Sequence, residues 1–213
     1  MNNKTLFIGV TAFIGIIFIA AVGMYKSQQP STIASEILPA LERINAPEKG
    51  GKNGKVTIVE FFDPACGTCS QFYPLVNNLV KKYQGKVKVV MRYAPLHQGS
   101  EDVVKMLEAA HIQGQFWPAA KLLFANQQRW VEHHVSQPSK ALAGIKTLAL
   151  DHDQLDRDWQ SSKVAQIIAQ DMQDGQTLKV RATPQFFVNG KPLVVFGYEE
   201  LVNLVEEAIA EVY

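Results

Sequence analysis

The chain has only two cysteines among its 213 residues, Cys66 and Cys69. A structural zinc site usually needs four cysteine or histidine ligands. The five histidines do not supply the missing pair, because no two of them have the usual H-x3–5-H spacing, and His133 and His134 are adjacent. A disulfide that closes so short a loop would constrain little of the unfolded chain. The scarcity of cysteine therefore favours a reactive dithiol over a zinc site or a structural crosslink.

The chain also lacks a basic run and a patch in which basic and aromatic residues alternate. Its 21 lysine and arginine residues are balanced by 20 aspartate and glutamate residues. Nucleic-acid-binding domains usually carry a basic patch or stripe. The composition therefore argues against nucleic acid as a partner. The hydrophobic content of 47% is that of a globular domain with some additional apolar sequence.

Charged residues are absent from residues 6–25, and this segment is about long enough to cross a bilayer as a helix. We expect residues 1–26 to be a membrane anchor. A cleaved signal peptide is the alternative, with Ala21 and Gly23 before the cleavage site, but the apolar part of a signal peptide is usually shorter, about 7–15 residues. Both interpretations predict export. The catalytic domain is then periplasmic, on an inner-membrane anchor or as a soluble protein.

Residues 27–54 are predicted to form a linker with one short amphipathic helix. The helix could pack on the surface of the following domain or form an oligomerising stalk. Glycine and lysine dominate residues 49–54, which predicts a loop there.

Residues 55–213 are predicted to form one α/β domain. An apolar strand over residues 56–62 precedes the two cysteines, a helix over residues 70–83 follows them, and a second strand covers residues 86–93. This order is a β-α-β unit, in which the two strands are parallel and the connection is right-handed.

The second half of the domain begins with a helical pattern from about residue 98 to residue 174, without a strand signal. Two further strands are predicted over residues 185–188 and 193–196. The Asn-Gly pair between them is a strong hairpin signal. A helix over residues 199–212 follows.

Cys66 is predicted to be the attacking thiol because it stands at the start of a helix. Unpaired N–H groups and the positive end of the helix dipole favour the thiolate there, and the thiolate is the nucleophile. Cys69, one turn further on, would resolve the mixed disulfide. Glu60 is a carboxylate in an apolar strand, and burial would raise its pKa. The alternative for Glu60 is a strand-end position that faces water.

Three segments resemble the DsbA-like thiol:disulfide oxidoreductases of the thioredoxin superfamily, and they occur in that family's order. They are VEFFDPACGTC at residues 59–69, QGQFW with LFANQ within residues 113–127, and VRATPQFFVNGK at residues 180–191. The resemblance implies a thioredoxin fold with a helical insertion between its β-α-β and β-β-α halves, here with an N-terminal transmembrane helix added. Membrane-anchored relatives and ScsC-type copper-tolerance proteins share all three segments, so the subfamily stays open.

The resemblance also implies roles for individual residues. A buried acid at Glu60 would take the proton of the resolving thiol. The Thr183–Pro184 bond would be cis and face the cysteines, and the Thr183 backbone would bind an extended substrate like a neighbouring strand. The alternative for Pro184 is an ordinary trans proline. The expected partners are protein thiols and disulfides and a membrane redox protein that reoxidises or reduces the pair, and no cofactor is expected.

Gly67-Thr68 departs from the Pro-His dipeptide of the strong oxidant that gives the family its name, in which the histidine helps to stabilise the thiolate. We therefore expect a protein that is less oxidising than that strong oxidant. Its expected function is that of an exported oxidase, which donates its disulfide to folding proteins. One alternative is a reductase or isomerase of the ScsC type. The other is a metal-tolerance module that binds Cu(I), a soft ion suited to sulfur.

Overall fold

The structure is a computed structural model that describes residues 38–213. The predicted anchor or signal segment and the first part of the predicted linker lie outside these residues. Within residues 38–213, no helix is both long and apolar enough to cross a membrane.

The described residues form one mixed sheet with helices and a small hairpin. The strands are β1 (Glu48–Gly50), β2 (Val56–Phe62), β3 (Val87–Tyr93), β4 (Val131–Glu132), β5 (Val135–Ser136), β6 (Gln185–Val188) and β7 (Lys191–Pro192). The helices are α1 (Leu38–Leu41), α2 (Gly67–Lys82), α3 (Ser100–Ile112), α4 (Phe116–Ala125), α5 (Gln127–Trp130), α6 (Pro138–Ile145), α7 (His152–Trp159), α8 (Ser162–Thr177) and α9 (Tyr198–Val212). The main sheet has the order β1-β3-β2-β6-β7. β2 and β3 are parallel, and the other neighbours are antiparallel.

The central strand β2 is buried along its whole length. Side chains alternate between the two faces of a strand. Ile58 and Phe62 accordingly belong to the larger hydrophobic core together with the apolar side of α2, while Val59 and Phe61 belong to a smaller core. Glu60 is on the same face of β2 as Ile58 and Phe62, which is the face that α2 covers. The sequence-based prediction of a parallel β-α-β unit is confirmed.

Helices α3 to α8 lie between β3 and β6 and confirm the predicted helical insertion. The expectation that no strand interrupts this block was wrong, because β4 and β5 form a short hairpin. Its turn consists of His133 and His134, both with positive φ, 48° and 65°. Strands of two residues are too short to show a hydrophobic period.

The predicted loop over residues 49–54 was wrong at its start, because Glu48–Gly50 pairs with β3 as an edge strand. The glycine that indicated a loop is needed for close packing instead. Gly50 has a φ of +123°, and a Cβ atom there would lie 2.5 Å from the carbonyl oxygen of Val87.

The predicted strand over residues 193–196 was also wrong, since the last strand ends at Pro192. The ladder continues past Pro192 by one hydrogen bond, in which the Leu193 nitrogen donates to the carbonyl oxygen of Phe186 across 2.9 Å. Val194, Val195 and Phe196 are exposed, so the apolar run that indicated a strand does not lie in the core.

A buried arginine binds the start of the described chain to the domain. Arg92 is fully buried and forms ion pairs of 2.7 Å with Asp171 and 2.6 Å with Asp174. Its guanidinium also donates to the carbonyl oxygen of Leu41 across 2.8 Å. Arg43 reaches the same Asp174 at 2.7 Å. Residues 38–43 therefore pack against the domain, which is one of the two arrangements considered for the linker helix.

Candidate active site

Cys66 is the N-cap residue of α2, with extended backbone geometry. Its Sγ accepts a hydrogen bond from the backbone nitrogen of Cys69 across 3.5 Å. Both cysteines are free thiols, and their side chains are buried to different degrees, with Cys66 6% exposed and Cys69 not exposed at all. Gly67, which directly follows Cys66, is exposed, and Cys66 accordingly lies nearer the surface than Cys69 does.

The surroundings of Cys66 lower the pKa of its thiol to about 5. The largest cause is a hydrogen bond from the Cys69 thiol, and hydrogen bonds from Thr183 and from the backbone N–H groups of Cys69 and Thr68 act in the same direction against the opposing effect of burial. These donors stabilise the charged sulfur more than the neutral one. Cys66 is thus a thiolate at neutral pH.

The pKa of the Cys69 thiol is shifted in the opposite direction. Burial is the largest cause that raises the pKa of its thiol well above the ordinary value, and the hydrogen bond to Cys66 and the charges of Glu60 and Cys66 raise it further. A thiol in this position holds its proton. One turn of helix therefore presents one thiolate and one protonated thiol.

Glu60 is 1% exposed, which rules out the strand-end position that faces water. Neither carboxylate oxygen has a hydrogen-bond partner among residues 38–213. Burial, with a smaller contribution from the charge of Cys66, raises the pKa of Glu60 to about 8. A carboxyl group with this pKa can both hold and release a proton near neutral pH.

The loop before β6 lies against the attacking sulfur. The Thr183–Pro184 peptide bond is cis, as the resemblance implies. The Sγ of Cys66 lies 3.1 Å from the carbonyl oxygen of Thr183, so the thiol form can donate to it. The structure thus brings the cysteines, Glu60 and the Thr183–Pro184 loop into one site.

No pattern in the sequence marks Asp63 as functional, although it lies in the first of the three resembling segments. Asp63 is fully buried. Its carboxylate accepts hydrogen bonds from the backbone nitrogens of Ala65 at 2.8 Å, Leu96 at 2.7 Å and His97 at 2.8 Å, and from the hydroxyl of Ser100 at 3.0 Å. This carboxylate ties the turn before Cys66 to the loop after β3.

Gln127 is a second residue that no sequence pattern marks as functional, and it closes the second resembling segment. Its Nε2 donates to the carbonyl oxygen of Pro64 at 2.8 Å and to that of Cys66 at 3.0 Å. The signal that could have found it is its place in a shared segment, but that segment gives no hint of which atoms the side chain contacts.

The histidines do not replace the missing imidazole of the dipeptide. Within the described part of the chain, no histidine forms a hydrogen bond with Cys66. His97 is bound through Nδ1 to Asp63 at 2.8 Å, and His133 and His134 form the exposed hairpin turn. The Cys66 thiolate is stabilised instead by the Cys69 thiol, the Thr183 side chain and the backbone N–H groups of Cys69 and Thr68.

Comparison with known proteins agrees with this fold. A family model described as Thioredoxin matches residues 44–207. The crystal structure of a thioredoxin-like oxidoreductase from Silicibacter pomeroyi is 30% identical, covers 80% of this chain and 96% of that chain, and superposes with a TM-score of 0.70. The thiol-disulfide exchange protein alpha-DsbA2 from Wolbachia pipientis is 22% identical, with 81% of this chain and 92% of that chain covered and a TM-score of 0.68, which shows the fold alone.

Part of the chain is also similar to a transport protein. The Na(+)/H(+) antiporter NhaA 3 from Salinispora tropica is 34% identical over 146 residues, which are 67% of this chain and 21% of the antiporter. The chain thus spans about a fifth of the length of that relative.

Proposed function

We propose that this chain, which belongs to the thioredoxin family, is a DsbA-like member that exchanges a Cys66–Cys69 disulfide with the thiols of protein substrates. The observation that carries the proposal is the contrast between the two sulfurs. The pKa of Cys66 is lowered to about 5, while that of Cys69 is raised. Such a pair has one sulfur suited to attack and departure and one suited to resolve the mixed disulfide.

In the oxidising direction, a substrate thiolate attacks the Sγ of Cys66. The Cys66–Cys69 bond breaks as the new disulfide forms, and Cys69 leaves as a thiolate that takes up a proton. A second substrate thiolate then attacks the substrate sulfur of the mixed disulfide and displaces Cys66 as a thiolate. The substrate loses two electrons and gains a disulfide, and the protein becomes the dithiol.

We assign to Glu60 the proton that Cys69 gains or loses. Its unpartnered carboxyl group lies on the sheet face under α2, and its charge acts on Cys69. With a pKa of about 8 it is protonated in much of the population at neutral pH and can supply a proton to Cys69. In the reverse reaction the carboxylate accepts it.

We assign the oxidising direction from the stability of the Cys66 thiolate. A better stabilised thiolate favours the reduced protein, which makes the disulfide a stronger oxidant. The nucleophile of thioredoxin has a pKa of about 7 and that of DsbA about 3.5. The value of about 5 for Cys66 lies between them, which supports an oxidant weaker than DsbA.

We propose that the enzyme acts outside the cytoplasm, where disulfides persist. The support is the uncharged segment at residues 6–25, as an inner-membrane anchor or, in the alternative, a cleaved signal that leaves a soluble periplasmic protein. An oxidase also needs an electron acceptor after each cycle. A membrane redox protein that reoxidises the Cys66–Cys69 pair fits this requirement.

The test is oxidative refolding of a reduced, unfolded protein that contains several cysteines. The oxidised enzyme in stoichiometric amount should restore the substrate's disulfides and become the dithiol. The Cys66→Ser variant should leave the substrate reduced. If the oxidised wild-type protein transfers no disulfide to the substrate, the proposed function is wrong.

A further inference from the structure

Gln127 joins the helical insertion to the turn that carries Cys66. We infer that Gln127 is a positioning residue, which holds the residue 64–66 turn so that the Cys66 sulfur stays aligned with the N–H groups at the start of α2. This inference rests on the proposed function in one respect, that Cys66 is the reacting thiol.

The contacts of Gln127 reach across the fold. It begins α5 and stands 61 residues after Cys66 in the chain. One amide nitrogen serves two carbonyl groups, those of Pro64 at 2.8 Å and Cys66 at 3.0 Å. Among the described residues, no other side chain donates to either carbonyl. The amide therefore bridges both ends of a three-residue turn.

The Cys66 carbonyl is also part of α2. It accepts the backbone N–H of Ser70 across 3.1 Å, the first bond of the helix. A second donor on the same oxygen restricts rotation of the peptide plane between Cys66 and Gly67. That plane sets the direction of the Cys66 side chain relative to the first N–H groups of the helix.

The alignment of the Cys66 sulfur with the N–H groups at the start of α2 is sensitive to small rotations of the backbone. The nitrogen of Cys69 lies 3.5 Å from the Sγ of Cys66, within the range of a hydrogen bond to sulfur. Hydrogen bonds weaken steeply with distance and angle. Asp63 holds the other side of the turn, through Ala65 and the loop after β3. Gln127 thus completes the support on the side of the insertion.

Gln113 offers a matched control. Its side chain also makes two hydrogen bonds to backbone groups within the insertion, since Nε2 donates to the carbonyl of Asp151 at 3.0 Å and Oε1 accepts from the Asp151 nitrogen at 2.8 Å. These bonds do not involve the cysteine turn. A glutamine that acts only through the stability of the insertion should behave as Gln113 does.

The experiment compares Gln127→Met with Gln113→Met in the full chain. Methionine has nearly the shape of glutamine and carries no donor or charge. The ultraviolet absorbance of the thiolate is followed against pH in the reduced proteins, together with the rate of exchange with a small disulfide. Gln127→Ala is measured in parallel, so that a failure of the methionine variant to fold leaves the inference testable.

We expect both Gln127 variants to raise the pKa of Cys66 and Gln113→Met to leave it unchanged. A rise of one unit would reduce the thiolate fraction at pH 5 about fivefold. Because the more basic thiolate is about threefold more nucleophilic, the exchange rate at pH 5 should fall about twofold. If the Gln127 variants titrate like wild type, or if Gln113→Met shifts Cys66 equally, the inference is wrong. If wild type itself does not exchange disulfides, the proposed function fails instead.

Discussion

The backbone N–H of Cys69 donates a hydrogen bond to the Sγ of Cys66 across the first turn of α2. The same turn hides the Cys69 thiol, which is not exposed at all. The Cys69 thiol and the backbone N–H groups of this turn lower the pKa of Cys66, while burial raises that of Cys69. This difference fixes the order in which the two sulfurs react.

The first prediction concerns the roles of the two sulfurs. Cys66→Ser should abolish thiol–disulfide exchange without loss of the fold, because the attacking atom is gone. Cys69→Ser should instead accumulate mixed disulfides with substrates, since no internal thiol remains to displace them. Non-reducing electrophoresis of both variants after incubation with oxidised substrate gives the answer. Normal turnover by Cys69→Ser would contradict the assignment.

The second prediction concerns pH and the redox state. The folded pKa of Cys66 is about 5, below the pKa of about 8.5 for a cysteine in an unfolded chain. Between these values the unfolded reduced chain binds more protons than the folded one, so the stability of the reduced protein rises with pH. This contribution is fully present above about pH 8.5 and is lost as the pH falls through 5.

The oxidised protein lacks this titration and serves as the control. We expect the free energy of unfolding of the reduced form, minus that of the oxidised form, to grow from pH 5 to pH 8. Denaturant unfolding of both forms at several pH values measures it. A difference that does not change with pH would mean that the Cys66 thiolate is not stabilised by the fold.

The third prediction is that Glu60→Gln stabilises the protein at pH 8. The pKa of Glu60 is raised from 4.5 to about 8, so the folded protein binds its proton more tightly than the unfolded chain does. Glu60 therefore costs stability as the pH rises from about 4 to 8, on the order of 4 kcal/mol at the upper end. Glutamine removes that cost, and the gain should vanish near pH 4.

Glu60→Gln should also slow the exchange of protons with Cys69 and thereby the overall exchange reaction. Stopped-flow measurements of exchange with a substrate peptide, run from pH 6 to 9, test this. A variant that gains stability at pH 8 but keeps the wild-type rate throughout would show that Glu60 is buried without a catalytic role.

The fourth prediction concerns the buried ion pairs under α8. Arg92→Met should destabilise the fold by about 3–5 kcal/mol, because it leaves Asp171 buried without its cationic partner and removes one of the two arginines that bind Asp174. Lys105→Met is the control, since Lys105 pairs with Glu101 at 2.7 Å in a partly exposed i,i+4 pair worth about 0.3–0.5 kcal/mol. Chemical denaturation of both variants gives the comparison. Equal losses would contradict the importance of burial.

The site residues can be predicted from the sequence where a local structural pattern and a reactive or charged side chain occur together. The apolar run of β2 and the two cysteines at the start of a helix locate Cys66, and the charge of Glu60 inside that run marks it for attention. The failures have physical reasons as well. By composition alone, the apolar run around Val194 looks like a buried strand, but Val194 is exposed. The glycine-containing segment of β1 looks like a loop, but it pairs with β3.

Long-range polar contacts are beyond a reading of local pattern. Arg92 meets Asp171 across 79 positions, and Gln127 meets Cys66 across 61. The residues next to Arg92 and Gln127 in the sequence do not indicate which distant residue each of them contacts. Asp63 and Gln127 lie in segments that carry the family resemblance, yet their hydrogen bonds emerge only when the insertion folds against the turn.

The most direct test of the account is the reduction potential of the Cys66–Cys69 pair, measured by equilibration with glutathione and checked against the redox state of the pair in cells. We predict a potential between about −270 mV, the value for thioredoxin, and about −120 mV, the value for DsbA, with the pair oxidised in cells. A potential near that of thioredoxin, with the pair found reduced, would contradict the oxidase and favour a reductase or isomerase.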